Sequence, residues 1–112
     1  DIIYGGSGND TVYGGQNEDT IFGEAGNDMI FGNLGNDTLD GGSGSDTFMF
    51  GSSNQGFDVI DNLDRPEGDL IAFSGDYTTS SDAAGDVVII YKGGQIKLTG
   101  ISTSDFEDGW VL

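Results

Sequence analysis

The chain has 112 residues, with 20 acidic and 3 basic side chains, a formal net charge of −17 and 21 glycines. That charge argues against nucleic acid or an anionic membrane as a partner, since both need a positive surface, and the absence of cysteine excludes disulfides. Glycine adds entropy cost to folding and the carboxylates repel one another, so the composition is close to that of a disordered chain unless cations neutralise it.

Asp1-Ile2-Ile3-Tyr4 reads as the tail of a repeat unit, so further sequence is expected upstream. Gly5 to Phe50 then reads GGSGNDTVY, GGQNEDTIF, GEAGNDMIF, GNLGNDTLD and GGSGSDTFMF. Glycine recurs at 5, 14, 23, 32 and 41, aspartate at 10, 19, 28, 37 and 46, and an apolar residue at 12, 21, 30, 39 and 48. A strict period of nine decides the fold before any propensity does. The first six residues of each unit form a tight turn. The last three form a short strand with its middle residue pointing inward. Two units make a coil of 18 residues, and coils stack into parallel sheets about 4.8 Å apart. Val12, Ile30 and Phe48 then form one inner row, with Ile21 and Leu39 facing them.

Such a core is one residue thick, and residues 1–50 hold nine acidic side chains and no basic one. Burial alone cannot hold these turns. Calcium suits the task, being a hard cation that takes six to eight oxygens from carboxylates and backbone carbonyls. Glycine turns can aim several carbonyls at one point, because no Cβ obstructs them.

The unit is the G-G-x-G-x-D-x-U-x nonapeptide, a known signature of calcium-binding parallel β-helices, and its five tandem copies resemble the RTX (repeat-in-toxin) family of bacterial secreted proteins. The resemblance implies that each ion sits between a turn and the turn one coil later. Carried over, one site is Gly6, Gly8 and Asp10 with Gly23, Ala25 and Asp28. A second is Gly15, Asn17 and Asp19 with Gly32, Leu34 and Asp37. A third is Glu24, Gly26 and Asp28 with Gly41, Ser43 and Asp46, so that Asp28 serves two ions. A fourth draws Asn33, Gly35 and Asp37 together with Gly51, Ser53 and Asp58, where the repeat phase has broken. The cofactor implied is Ca2+, about three to four ions. Asn17, Glu24 and Asn33 depart from the glycine pattern. Asparagine tolerates the left-handed conformation, whereas glutamate is less expected there.

Beyond Phe50 the text changes. Residues 51–56 read as a loop, 57–63 as a strand, 64–69 as a turn with the single proline, and 70–73 as another strand. Residues 76–85 (DYTTSSDAAG) read as a polar, mobile loop. Two apolar runs, 86–92 and 95–99, flank Gly93-Gly94, a strong hairpin signal. Repeat stacks need a terminal element over the last apolar layer, and Phe57, Leu63, Phe73 and Trp110 are expected to cover it. The ending Glu107-Asp108-Gly109-Trp110-Val111-Leu112 is similar to the uncleaved type I secretion signal of RTX proteins.

No histidine or cysteine is present, so the usual general base and thiol nucleophile are missing. We expect no enzyme in these residues, with any catalytic domain upstream. The fold expected is all-β, a parallel β-roll (a calcium-binding β-solenoid with 18 residues per coil) over 1–50, followed by an antiparallel β C-terminal cap over 51–112. The function expected is calcium-coupled folding after export, supporting type I secretion of a bacterial extracellular protein. The implied partners are calcium and, during export, the type I secretion ABC transporter, with no nucleic acid, no membrane insertion and a monomeric state. The competing reading is a calcium-rigidified adhesin or surface-layer module.

Overall fold

The computed structural model describes residues 1–51, 55–64 and 66–112. In the repeats, each three-residue strand lies between glycine turns: β1 (Ile2–Tyr4), β2 (Thr11–Tyr13), β3 (Thr20–Phe22), β4 (Met29–Phe31), β5 (Thr38–Asp40) and β6 (Thr47–Met49). Alternation puts the central residue inside and its two neighbours outside. Odd and even strands build two separate parallel stacks. Ile3, Ile21 and Leu39 are in register in one, and Val12, Ile30 and Phe48 in the other. From Ile21 onward these central residues are fully buried. Outside, the last residue of each strand stacks on its successor one coil later, Tyr4 on Phe22 at 5.2 Å and Tyr13 on Phe31 at 4.7 Å between ring centres.

The periodic text stops at Phe50, but the parallel pairing does not. Strand β7 (Gly56–Asp61) pairs with β5, placing Ile60 on Leu39, and β8 (Leu70–Ala72) pairs with β6, placing Ile71 on Phe48. The corresponding aspartates are 21 and 23 residues apart rather than 18. Longer turns therefore hide the period without breaking the stack. Phe57 does not join the cover expected of it and is 39% exposed. Strand alternation fixes this: with Asp58 and Ile60 buried inside, Phe57 must face out. Leu63, Phe73 and Trp110 do pack on the core.

The remaining strands extend the first sheet. Strand β10 (Asp86–Tyr91) and β11 (Gly94–Ser102) form the expected hairpin, and β11 also runs parallel to β7. Tyr91 pairs directly with Gly94, so the two-residue turn is Lys92-Gly93, one position earlier than Gly93-Gly94. Residues 76–85 are not simply a loop. Within them, β9 (Tyr77–Ser81) pairs antiparallel with β10 along all five residues. An edge strand with both faces near water carries no apolar alternation, which is why Tyr-Thr-Thr-Ser-Ser read as loop. The first sheet thus runs β1-β3-β5-β7-β11-β10-β9 and the second β2-β4-β6-β8.

At the C-terminal end a single 3-10 turn (Asp108–Trp110) leads Val111 into a parallel bridge with Ile71, and the Leu112 N–H donates to the Ile71 carbonyl at 2.8 Å. Phe73, Tyr77, Phe106 and Trp110 form a chain of ring contacts beneath it. The core is continuous from Val12 through Phe48, Ile60 and Ile71 to Val87, Ile89, Ile96 and Leu98. The chain is all-β, a parallel roll with antiparallel strands at its C-terminal end.

Candidate metal centre

Between the strands, the turns stack in two columns. Residues 5–10, 23–28, 41–46 and, among those described, 64 and 66–69 form the first, and 14–19, 32–37 and, among those described, 51 and 55–58 the second. Within the five repeat turns, the second and fourth residues all take positive φ, glycine or not. Gly6, Gly8, Gly15, Gly26, Gly35, Gly42 and Gly44 do so, and so do Asn17 (73°), Glu24 (70°) and Asn33 (66°). The stack holds even glutamate in the left-handed region, at a cost of about 1–2 kcal/mol. The Glu24 side chain recovers part of this by accepting the Gly6 N–H of the preceding coil at 3.1 Å.

First-position glycines are needed for a different reason. A Cβ on Gly23 would stand 2.7 Å from Asp28 Oδ2 and 2.9 Å from the Gly41 carbonyl oxygen. On Gly14 it would meet the Gly32 carbonyl at 2.8 Å and Asp19 Oδ2 at 3.0 Å, and on Gly5 the Gly23 carbonyl at 2.8 Å and Asp10 Oδ2 at 3.4 Å. Each missing Cβ leaves a concavity in which a carboxylate oxygen meets a carbonyl oxygen of the next coil.

The aspartates form a ladder down each column. One carboxylate oxygen of each accepts the backbone N–H of the aspartate one coil earlier. Asp10 N–H donates to Asp28 (2.8 Å), Asp28 to Asp46 (2.9 Å) and Asp46 to Asp69 (2.8 Å). In the second column Asp19 donates to Asp37 (2.8 Å) and Asp37 to Asp58 (2.9 Å). The other oxygen, Oδ2, is buried without a hydrogen-bond partner in Asp10, Asp19, Asp28, Asp37, Asp46 and Asp58. Six buried carboxylate oxygens without donors are a costly arrangement for a protein standing alone. Burial, opposed by the ladder hydrogen bond and reinforced by neighbouring carboxylates, pushes Asp37 up to about 6 and Asp46 to about 7. Asp58 rises to about 7 in the same way, and Asp28 rises too. Among the described residues no three carboxylates converge on one point. The aspartates meet in pairs, so main-chain carbonyls must supply the rest of any coordination sphere. Calcium accepts that mixture of donors.

Gly6, Gly8 and Asp10 lie over Gly23, Ala25 and Asp28, with the Gly8 carbonyl directed at Gly26, where a Cβ would be only 2.2 Å away. Gly15, Asn17 and Asp19 lie over Gly32, Leu34 and Asp37. There the Asn17 carbonyl points to Gly35, while the Gly15 carbonyl accepts the Leu34 N–H at 3.0 Å. Glu24, Gly26 and Asp28 lie over Gly41, Ser43 and Asp46, with the Glu24 and Gly26 carbonyls directed at Gly42 and Gly44. Ala25, Leu34 and Ser43 occupy exposed third positions. In the fourth set, Asn33 and Gly35 keep the repeat conformation and Asp37 is bonded to Asp58. Gly51 directs its carbonyl at Gly93 instead. Ser53 lies outside the described residues.

Two features escaped the sequence reading. Fifth-position asparagines form a second ladder, with Asn9 Oδ1 accepting from Asn27 N–H, Asn27 from Ser45 and Asn36 from Phe57, each at 2.8 Å. The recurrent Gly-Asn-Asp at 8–10, 26–28 and 35–37 was its signal. Asp69 is the last rung of the first column, and its Oδ2 accepts the Asp64 N–H at 2.8 Å. Asp58-Val59-Ile60 and Asp69-Leu70-Ile71 both repeat the Asp-x-aliphatic text of the units, which marks these rungs.

The model of the RTX calcium-binding nonapeptide repeat matches four copies, over residues 1–30, 13–48 and 22–60. These spans together run from 1 to 60, more than half of the chain. The chain belongs to the RTX calcium-binding repeat family. Among solved structures it is similar to the extracellular lipase LipA from Serratia marcescens, with a TM-score of 0.61 and 22% identity. That match covers 96% of this chain and 20% of the lipase, so the chain spans a fifth of that protein's length. The likeness is one of fold. The comparison with curated proteins finds no match.

Proposed function

We propose that this RTX region binds about three to four calcium ions between successive turns and folds because it binds them. The observation that carries the reading is the set of six buried, donorless Oδ2 atoms, those of Asp10, Asp19, Asp28, Asp37 and Asp46 each beside a space that glycine keeps open. Asp10 with Asp28, Asp19 with Asp37, Asp28 with Asp46, and Asp37 with Asp58 would hold the ions, helped by the carbonyls named above. Bound there, calcium supplies the positive charge that the chain lacks. Metal binding to the folded state alone becomes folding free energy.

The setting we infer is a bacterial protein exported by a type I ABC transporter. Scarce calcium inside the cell leaves the acidic chain unfolded and exportable. Outside, sites with dissociation constants of about 10⁻⁴–10⁻³ M fill and fold it. Residues 51–112 then act as the cap, closing the roll with the β9–β11 strands, and residues 107–112 as the export address. Chemistry, in this reading, belongs to a domain upstream.

The test is a passenger protein fused to residues 1–112 and expressed with a type I exporter. Release that rises with external calcium supports the reading, and equal release at low and high calcium sinks its export half. A fusion carrying only residues 51–112 separates address from cap.

A further inference from the structure

The two aspartate columns end differently. In the first, Asp69 is closed by the Asp64 N–H, so its second oxygen is satisfied within the protein. In the second, the last rung is Asp58, 1% exposed, with an Oδ2 that has no partner. Another orphan lies in the same sheet, across β11 from β7, where Tyr91 pairs with Gly94 and Gly94 with Gly56. Tyr91, at the end of β10, is 7% exposed, its ring packed on Phe73 at 4.7 Å and Phe50 at 6.0 Å, and its hydroxyl has no partner either. Burial, and after it the charge of Asp58, push the phenol above its ordinary range. The Gly51 carbonyl opens on the same corner. A Cβ on Gly93 would stand 2.3 Å from that oxygen and 2.6 Å from Tyr91 Cε2.

A buried carboxylate only accepts, and a buried phenol both donates and accepts. A bond between them would satisfy both, yet neither is bonded, and each orphan costs about 1–3 kcal/mol. A third group between them resolves both. We infer that Asp58 Oδ2, the Gly51 carbonyl and the Tyr91 hydroxyl form the last cation site of the second column, for a hard divalent ion of calcium's kind. Tyr91 is then an oxygen donor supplied from outside the nonapeptides, directly or through a water on the ion. It ties the hairpin of the cap to the ion column, so that the cap locks only when the last ion is bound. This inference rests on the calcium reading of the repeats.

The experiment counts calcium ions and their affinities on the full chain, by competition with a chromophoric chelator. Tyr91→Phe keeps the ring contacts and removes only the hydroxyl. It should weaken one ion by about tenfold or more while leaving the others unchanged. Asp58→Asn should weaken the same ion, and the double variant should lose no more than Asp58→Asn alone. Tyr77→Phe, which loses an exposed bond to Asp108, should bind as the unaltered chain does. Equal binding by Tyr91→Phe and the unaltered chain would overturn the inference. So would an unchanged ion count in Asp58→Asn, which decides the matter even if Tyr91→Phe does not fold. An unaltered chain that takes up no calcium refutes the calcium reading itself, a separate result.

Discussion

Asp28 is the residue on which the calcium account is most exposed to test. Its N–H donates to Asp46, its Oδ1 accepts from Asp10, and its Oδ2 is buried without a partner. Two of the implied ion sites share it. Asp28→Asn keeps the shape and the ladder acceptor but places an N–H group where a cation needs oxygen. Removing one member of a buried charge pair costs about 3–5 kcal/mol. If roughly three ions bind on folding, each tenfold rise in free calcium adds about 4 kcal/mol to the folded state. The calcium midpoint for folding should therefore rise about tenfold. Asp76→Asn removes the same charge from an exposed turn, where surface changes are worth about 0.5 kcal/mol or less, so its midpoint should move less than about twofold. Far-UV circular dichroism during calcium titration reads both. An Asp28→Asn midpoint equal to that of Asp76→Asn would refute the reasoning.

Two further outcomes follow from the same turns. In chelator, pH should act in reverse of the usual acid denaturation. Asp37, Asp46 and Asp58 have folded values near 6 and 7, above the ordinary 3.8, so the folded chain binds more protons than the unfolded one. The stability they contribute is fully present below 3.8 and is lost as pH rises through 6 to 7. Acidifying the chelated chain from neutrality should increase the strand signal, and a decrease would contradict the burial argument. Gly23→Ala puts a methyl group into the oxygen-lined space, 2.7 Å from Asp28 Oδ2, without the positive φ that would strain it. It should cost about 1–3 kcal/mol in calcium, read as a higher calcium midpoint. An unchanged midpoint would mean that the space holds nothing.

Much of this architecture was legible because the physical cause repeats with the text. The nine-residue period gives the inner rows, and Ile21, Ile30, Leu39 and Phe48 are fully buried where it puts them. What the period could not show lies where spacing or polarity changes. Ile60 and Ile71 continue the rows, but turns lengthened by three and five residues move them out of phase. Strand β9 is polar because both of its faces lie near water. Phe57 looks like core, yet an aspartate on the inward face sends it outside. Tyr91 is 33 residues beyond Asp58 in sequence, and only the return of the hairpin, through β11, brings their strands into one sheet. Pair spacing along the chain cannot express that meeting.

The most direct test of calcium-coupled folding is far-UV circular dichroism of the full chain, titrated with calcium and, separately, with magnesium. Magnesium is the right control, since it demands tighter octahedral geometry and gives up its waters reluctantly. The account predicts a disordered spectrum in chelator and a cooperative rise of strand signal with calcium alone. A chain already fully folded in excess chelator at neutral pH would contradict it, because the core and cap would then hold the six donorless Oδ2 atoms without an ion.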